Sequence, residues 1–420
     1  MLFNFLLFIS LYLPFQIALN PAEGVDLASI RVLIILFFLV WLASGLKNKK
    51  IVIGKNLQTL LIISFLFLNL FSMFFARNPE WSARKLLFLL SVFPLYFVAS
   101  AEIRNIWKLE KVVRYLIFSG TAAAMIGIGQ FLAQFIFGLE AVCGFWANYA
   151  VPPFLGRSLT EAVLKNPSWL VNISGATYLR ATSFFPDPHM LSYYLGILIP
   201  LALALFLKNK NKFYLAAFFI LTTADALTFS RGGYLGLFSG ALFLTWFFWN
   251  RIGRKHKLYG ALILGLLGVS LSIPSPISSR FFSSFDLREG SNVGRIETWG
   301  QAAEVARSYP FFGTGIGNYP LEIKPTADYR EPIYAHNTYL DIAAETGAAN
   351  ALVWIVLMFS SVLVFIKKSK KHVVFLGCAA SMIIFSVHSF FETAIYSPVV
   401  LTLLLLVLSF ANVDVDEKNS

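Results

Sequence analysis

The chain has 420 residues, of which 57% are hydrophobic and only 13% are charged. A soluble domain carries about 25% charged residues, and the repeated apolar runs are long enough to cross a bilayer. The composition therefore excludes a soluble enzyme, and the unbroken runs exclude a β-barrel, whose strands would alternate apolar and polar residues.

Twelve apolar runs are predicted to be transmembrane helices, because a lipid-exposed backbone must satisfy its own hydrogen bonds. In chain order they are roughly 2–20, 27–46, 57–76, 85–101, 112–138, 188–207, 212–229, 232–250, 258–274, 337–366, 372–391 and 396–412. We expect the first to be retained, because it lacks the basic start of a signal peptide. The predicted fold is an all-α polytopic membrane protein, with one integral membrane domain over residues 1–420.

Lys and Arg residues indicate the orientation of these helices. They are concentrated in the loops that follow the even-numbered spans, at 47–55, 104–114, 208–212, 251–257 and 367–371. The positive-inside rule makes these loops cytoplasmic, so both termini are predicted cytoplasmic. One outer turn breaks the rule with Arg77, Arg84 and Lys85. The net charge of +12 is therefore mainly a signal of topology and does not indicate nucleic-acid binding.

This topology leaves two long segments outside, 139–187 and the larger periplasmic loop 275–335. The larger loop is predicted to contain a helix from about Arg295 to Ser308, capped by Asn292 or Ser291. Its apolar face would consist of Ile296, Trp299, Ala303 and Ala306. Glycines at 313, 315 and 317 predict a flexible or tightly turned stretch before the chain returns to the membrane.

His336 stands where this loop meets the next apolar helix. Asn337, Asp341 and Glu345 follow at intervals of four residues, which makes a polar stripe that should face the protein interior. An imidazole with an ordinary pKa suits a general base. The alternative is that His336 only ends the loop and that the carboxylates satisfy helix ends.

Arg231 lies in the outer turn Ser230-Arg231-Gly232-Gly233. A guanidinium binds phosphate through two parallel hydrogen bonds, and the two glycines followed by a helix N-terminus would let phosphate approach the backbone. The alternative is an interfacial arginine that reaches lipid headgroups. Arg295 and Arg280 are further candidates for an anion site, although an arginine on an amphipathic helix is often simply solvated.

Other polar residues give weaker signals. His388 and Glu392 lie four residues apart near the outer end of the eleventh span, where they can orient a catalytic group or pair internally. Asp225 is better explained as a structural group. Neither the two distant cysteines, Cys143 and Cys378, nor the scattered histidines have metal-ligand spacing. We therefore predict no metal and no cofactor.

Several motifs together resemble the O-antigen ligase and polymerase superfamily. They are Ser230-Arg231-Gly232-Gly233, Arg295-x-x-x-Trp299 through Pro310-x-x-Gly313-x-Gly315-x-Gly317-Asn318, and Ala335-His336-Asn337-x-Tyr339-Leu340 with Glu345-x-Gly347. The stretch Arg180–His189 also resembles the family, except that Asn is more usual at position 189. The motifs cover roughly residues 175–400.

The resemblance implies a metal-independent, inverting glycosyltransferase at the periplasmic face of a bacterial inner membrane. The donor would be a glycan on a polyprenyl (undecaprenyl) pyrophosphate, and the acceptor a hydroxyl of lipid A core or of a lipid-linked glycan, as in lipopolysaccharide biosynthesis. His336 would be the catalytic base, and Arg231, Arg295 and Arg280 would bind the pyrophosphate. The supporting residues would be Asn337, Asp341, Glu345, Arg180, His388 and Glu392.

Two alternatives remain open. Within the same enzyme class, the chain can polymerise lipid-linked repeat units, build exopolysaccharide or glycosylate protein hydroxyls. From another class, it can transport a lipid-linked glycan, although transporters usually show paired halves with polar sites at the midplane, and no such repeat is visible here.

Overall fold

The computed structural model describes residues 1–22, 25–165, 168–173, 175–251, 261, 265, 275–286, 288–329, 331 and 333–415. Apart from residues 261 and 265, the predicted ninth span, 258–274, lies outside the described residues. Of the basic residues in the loop before it, Arg254, Lys255 and Lys257 also lie outside the described residues.

The first half is helical apart from two hairpins. Its helices are α1 Leu2–Tyr12, α2 Ser29–Lys47, α3 Leu57–Ser72, α4 Pro79–Val92, α5 Pro94–Glu102, α6 Ile106–Phe137, α7 Leu139–Phe145, α8 Pro152–Leu155, α9 Arg157–Lys165 and α10 Pro188–Asn209. One antiparallel hairpin pairs β1 Ala18–Ala22 with β2 Val25–Ala28, and the other pairs β3 Leu170–Ile173 with β4 Ala176–Leu179. Short 3₁₀ turns follow α1 and α3, and a π turn, Trp146–Ala150, follows α7.

The second half continues with helices on both sides of the large loop. They are α11 Lys212–Ala226, α12 Arg231–Arg251, α13 Pro276–Phe282, α14 Gly290–Ser308, α15 Tyr319–Ile323, α16 Thr338–Thr346, α17 Ala348–Ser369, α18 Val374–His388 and α19 Pro398–Ser409. Short 3₁₀ turns, Ser283–Phe285 and Phe410–Asn412, follow α13 and α19.

Within the described residues, seven helical segments are long and apolar enough to cross a membrane. They are Ser29–Lys47, Leu57–Phe75, Pro79–Glu102, Ile106–Phe137, Pro188–Asn209, Arg231–Trp249 and Ala348–Ser369. Three shorter apolar helical segments accompany them, Leu2–Phe15, Val374–His388 and Pro398–Asn412. The chain is therefore a mostly helical, multi-pass membrane protein. The count of twelve spans remains a prediction.

The predicted tenth span, 337–366, is wrong as a single helix. The chain breaks at Gly347 into α16 and α17. Gly347 has φ +89°, and a Cβ there would lie 2.1 Å from the carbonyl oxygen of Phe311. The break therefore needs a glycine with a left-handed backbone, and the close contact with the large loop fixes its position.

The predicted loop helix exists, but its start and its buried face differ from the prediction. α14 begins at Gly290, and its cap is Glu289, whose carboxylate accepts hydrogen bonds from the amides of Ser291 at 3.1 Å and Asn292 at 3.2 Å. Ala302 and Val305 form the buried face, whereas Ile296 is 50% exposed. The helix packs against α16, a tertiary contact that apolar spacing within the loop does not reveal.

A glycine stripe packs α12 against α18. A Cβ at Gly232 would lie 2.6 Å from His388 Cδ2, one at Gly236 would lie 2.9 Å from the carbonyl oxygen of Ile384, and one at Gly240 would lie 2.5 Å from Ile384 Cγ1. Spacing of four residues between small side chains is typical of close helix contacts in membranes. Gly233 likewise abuts Ser192. The expectation that Gly232 and Gly233 expose backbone to phosphate is therefore wrong, because protein atoms fill that space.

The outer turn that breaks the positive-inside rule has a structural explanation. Lys85 donates hydrogen bonds to both carboxylate oxygens of Glu345, at 2.6 and 2.7 Å, and Arg84 pairs with Glu80. The side chains of Lys85 and Glu345 are only 13% and 3% exposed. The positive charge of Lys85 therefore forms a buried ion pair that holds α4 against α16.

Candidate functional site

His336 occupies a left-handed backbone conformation, φ +51°, just before α16. Its Nδ1 donates a hydrogen bond to Glu392 Oε1 at 2.8 Å. The imidazole is 41% exposed, and Nε2 has no hydrogen-bond partner among the described residues. One ring nitrogen is thus fixed by a carboxylate while the other is open to a substrate, which is the arrangement a general base requires.

The charges of His336 and Glu392 stabilise each other. The negative charge of Glu392 raises the pKa of His336 and outweighs the opposing effect of burial. Burial alone would raise the pKa of Glu392, but the charge and hydrogen bond of His336 lower it below the usual range. Glu392 is therefore the anionic partner of an imidazole that is more basic than usual.

Backbone contacts fix the segment that carries Glu392. Its carbonyl oxygen accepts hydrogen bonds from Tyr193 at 2.9 Å and from Thr338 Oγ1 at 3.0 Å. Its Oε1 also accepts a bond from the amide of Thr393 at 3.1 Å. The backbone of Glu392 is therefore held from α10 and α16, and this anchoring lets its carboxylate orient the imidazole.

The three polar residues after His336 are buried, as the predicted stripe requires. Asn337 caps α16 through the amides of Tyr339 and Leu340. Asp341 accepts a hydrogen bond from the amide of Ala335 at 2.8 Å and another from Thr393 Oγ1.

Glu345, at the far end of the stripe, pairs with Lys85 and accepts a bond from the Tyr396 hydroxyl at 3.1 Å. The side-chain oxygens of all three residues accept hydrogen bonds from protein groups, so these residues fix the backbone next to His336.

Arg231 and Arg280 meet at one carboxylate, Glu289. Arg231 Nη1 lies 2.6 Å from Glu289 Oε2, and Arg280 Nη1 lies 3.6 Å from Oε1. Arg231 also donates to the Ser283 carbonyl oxygen at 3.3 Å and to Ser291 Oγ, and its side chain is only 3% exposed. Partial burial opposes ionisation of Glu289, but Arg231 outweighs it and lowers the pKa.

Of the three candidate arginines, Arg295 has no partner in the part of the chain that the structure describes. Among the described residues its guanidinium makes no hydrogen bond and no ion pair, whereas Arg231 and Arg280 are both engaged. Burial lowers its pKa, while the nearby charge of Glu392 opposes this effect. Arg295 also acts electrostatically on His336. The charge of Arg295 therefore acts on both His336 and Arg280, and its guanidinium keeps its hydrogen-bonding capacity in the described part of the chain.

Arg180 begins a buried polar chain beneath these groups. Its guanidinium donates to the carbonyl oxygens of Thr228 at 2.7 Å and Ser168 at 2.9 Å, and Nη2 lies 3.5 Å from His189 Nε2. Burial lowers the pKa of Arg180 to about 9, so the group stays cationic at neutral pH.

The same chain continues through Ser230 to α18. Ser230 Oγ shares hydrogen bonds with His189 Nδ1 at 2.9 Å and His388 Nε2 at 3.2 Å, and the His388 ring stacks on Tyr193 at 3.7 Å. Arg180 and His388 therefore belong to one network that joins α10, α12 and α18 below the site.

Two contributors were missed from sequence, Glu289 and Ser230. An acidic residue interacts favourably with a helix N-terminus, so Glu289 could have been placed at the start of α14, although Glu is not among the preferred N-cap residues. Its contact with Arg231, 58 residues away in sequence, could not have been found. Ser230 was recognised only as part of a motif, because its two histidine partners lie on other helices.

The fold and site define a multi-pass membrane protein in which cationic and acid–base groups meet beside the ends of α10, α12 and α18. Residues 216–355 match the family model for O-antigen ligase, and this match confirms the resemblance to the O-antigen ligase and polymerase superfamily. It indicates a glycosyltransferase-like enzyme of surface polysaccharide biosynthesis that uses lipid-linked glycans. No curated protein matches the chain.

Proposed function

We propose that the protein transfers a glycan from a polyprenyl pyrophosphate to a hydroxyl of an acceptor glycan, with inversion and without a metal ion. The observation that carries this proposal is the His336–Glu392 pair. Among the described residues it leaves His336 Nε2 without a partner, and Arg295, which also has no partner among them, acts electrostatically on the imidazole. A base and a free cation in one site match a reaction that removes a proton from the nucleophile and places negative charge on the leaving group.

In the proposed reaction, Nε2 of neutral His336 takes the proton of the acceptor hydroxyl as its oxygen attacks the anomeric carbon. The new C–O bond forms opposite the bond to the pyrophosphate, and that bond breaks with its electron pair on the departing oxygen. Glu392 stabilises the imidazolium that results, since Nδ1 already donates to its carboxylate. The proton ends on His336 and the negative charge on the pyrophosphate.

Arginines would hold the pyrophosphate. The guanidinium of Arg295 has no partner within the described residues, and Arg231 and Arg280 lie on Glu289 and act electrostatically with Arg295. A guanidinium stays charged and binds phosphate oxygens through two bonds, so it stabilises the leaving group more strongly as charge develops. We assign Arg295 the most direct contact, because it alone of the three needs no change of partner.

A patch of exposed phenylalanines supports a lipid-linked donor. Phe238, Phe282 and Phe285 are 41%, 58% and 61% exposed, and Phe281 joins them at ring distances of 5.6 to 6.1 Å. Arg280 directly precedes Phe281 in the chain. A pyrophosphate on the arginines would therefore place its polyprenyl chain over an apolar surface that can face lipid.

We further propose that the protein lies in a bacterial inner membrane with both termini in the cytoplasm and the site facing the periplasm. The basic loops after the even-numbered predicted spans support this orientation. Labelling of single cysteines introduced at Glu304, on α14, and at Lys371, before α18, tests this orientation. We expect position 304 to be labelled from outside and position 371 to be labelled only after the membrane is opened.

The acceptor can be identified by comparing membranes that carry wild-type protein or His336→Ala. Glycans on lipid A core are separated from glycans on the polyprenyl carrier. If the variant accumulates long chains on the carrier while lipid A stays bare, the protein is a ligase. If its carrier holds only single repeat units, the protein is a polymerase. No difference in either pool would contradict the proposed function for both acceptors.

A further inference from the structure

Glu289 makes two kinds of contact that have different consequences. Its carboxylate caps α14 through the amides of Ser291 and Asn292, which is a structural task. The same carboxylate also binds Arg231 and approaches Arg280. A carboxylate and a phosphate both accept paired hydrogen bonds from guanidinium, so the oxygens of Glu289 stand where phosphate oxygens would bind.

The charge around Glu289 is unbalanced. Burial lowers the pKa values of Arg280 and Arg295, and the nearby charge of Arg231 lowers both further. Glu289 supplies one negative charge against the three arginines. The contact with Arg280 is also loose, at 3.6 Å. A pyrophosphate carries more negative charge and more acceptor oxygens than one carboxylate, and would satisfy the arginines more completely.

Exposure shows which partner can leave. The side chain of Glu289 is 30% exposed, whereas that of Arg231 is 3% exposed and also bound to Ser283 and Ser291. The carboxylate therefore stands on the open side of a fixed guanidinium. An anion that arrives from solvent meets Glu289 first and can replace it without moving the arginine.

We propose that Glu289 is a resident anion that occupies the pyrophosphate subsite at Arg231 and Arg280 and competes with the donor for it. The inference rests on the proposed function for the identity of the anion. Glu289 moves aside when pyrophosphate binds and returns when the spent carrier leaves. Pyrophosphate binds only those molecules in which the subsite is free, so the apparent affinity falls in proportion to their fraction.

The test uses the full-length protein in nanodiscs and inorganic pyrophosphate as the probe, with binding measured by calorimetry. Glu289→Gln keeps an oxygen that can cap α14 but removes the charge, and we expect it to bind pyrophosphate about tenfold more tightly than wild type. Glu304→Gln removes an exposed carboxylate from the same helix and is the matched control. It should bind as wild type does.

Hydrogen exchange gives a second, local readout in wild-type protein. The amide of Ser291 donates to Glu289 Oε2, so saturating pyrophosphate should speed its exchange while amides in the middle of α14 keep their rates. If Glu289→Gln fails to fold, Glu289→Asp serves instead. It keeps the charge and shortens the reach, and it should also bind pyrophosphate more tightly than wild type.

Equal or weaker binding by the Glu289 variant would overturn the inference, because Glu289 would then only position Arg231. An equal gain in Glu304→Gln would also overturn it, because bulk charge would explain the effect. Neither result depends on glycan transfer. Binding of pyrophosphate with no transfer by the wild type would contradict the proposed function and leave the subsite assignment standing, whereas no binding by either protein would overturn both.

Discussion

Glu392 holds His336 by one ring nitrogen, with Nδ1 2.8 Å from Oε1, and leaves the other nitrogen free of protein partners in the described part of the chain. The two residues lie 56 positions apart, on opposite sides of α17 and α18. Their contact determines the protonation state of the proposed base.

The pair predicts how activity depends on pH. His336 must be neutral to accept a proton, and Glu392 raises its pKa, so glycan transfer should increase as the pH rises through a value above 6.5. In Glu392→Gln the negative charge is lost and the pKa of His336 falls. The acidic limb of the profile should then move to lower pH while the maximum rate decreases. The measurement is initial transfer rate against pH for both proteins.

If the acidic limb of the pH–rate profile has the same midpoint in Glu392→Gln as in wild type, Glu392 does not control the pKa of the group that limits activity. The conservative variant Glu392→Asp keeps the charge, so it should retain a raised midpoint even if its rate is lower. This comparison separates an electrostatic effect from a loss of structure.

The same pair predicts a stability window. The pKa of His336 is raised from 6.5, so its contribution to the free energy of unfolding is complete below pH 6.5 and is lost as the pH rises through the pKa in the folded protein. The pKa of Glu392 is lowered from 4.5, so its contribution to the free energy of unfolding is complete above pH 4.5 and is lost as the pH falls through the pKa in the folded protein. The difference in Tm between wild type and His336→Gln should therefore be largest from pH 4.5 to 6.5. A pH-independent difference would contradict this.

Arg295 should matter through its charge and its planar geometry. Arg295→Lys is expected to lower kcat/KM for the donor by about 10- to 100-fold, because an ammonium cannot replace a guanidinium that binds phosphate through two bonds. Arg288→Lys is the matched control, since Arg288 is exposed in the same loop. Equal activity of the two variants would remove Arg295 from the site.

Sequence reasoning selected the candidate site residues from local features, and it did not find contacts between distant segments. The junction at His336 and the polar stripe after it were visible because helix periodicity acts over a few residues. The glycines after Arg231 were misread, because the residues that pack against them, His388 and Ser192, lie on other helices. Gly347 was missed as a break, since nothing in an apolar run shows that Phe311 fills the space beside it.

The glycine stripe gives a prediction for packing. Gly236→Ala would place a methyl group 2.9 Å from the carbonyl oxygen of Ile384, so α12 and α18 must separate and Tm should fall. Gly129→Ala is the control, because no atom of the described structure lies within 4 Å of the added Cβ. Alanine favours the helix by about 1 kcal/mol over glycine there, so Tm should stay the same or rise. A similar fall in both variants would contradict the packing role.

Lys85 and Glu345 should stabilise α16 as a pair. Lys85→Met leaves the buried carboxylate of Glu345 unpaired and should cost about 3 kcal/mol, measured by denaturant or thermal unfolding in detergent. The double variant Lys85→Met with Glu345→Gln removes both charges and should recover part of that loss. If the single variant is as stable as wild type, the ion pair does not hold α4 on α16.

The most direct test of the proposed function is a transfer assay with purified protein, a polyprenyl-pyrophosphate-linked glycan and an acceptor glycan in nanodiscs. His336→Ala should transfer the glycan about 10²- to 10⁴-fold more slowly than wild type while it still binds pyrophosphate and remains folded at the assay temperature. His372→Ala changes a histidine that contacts Glu110 instead and should transfer at the wild-type rate. Transfer by His336→Ala at the wild-type rate would show that His336 is not the base.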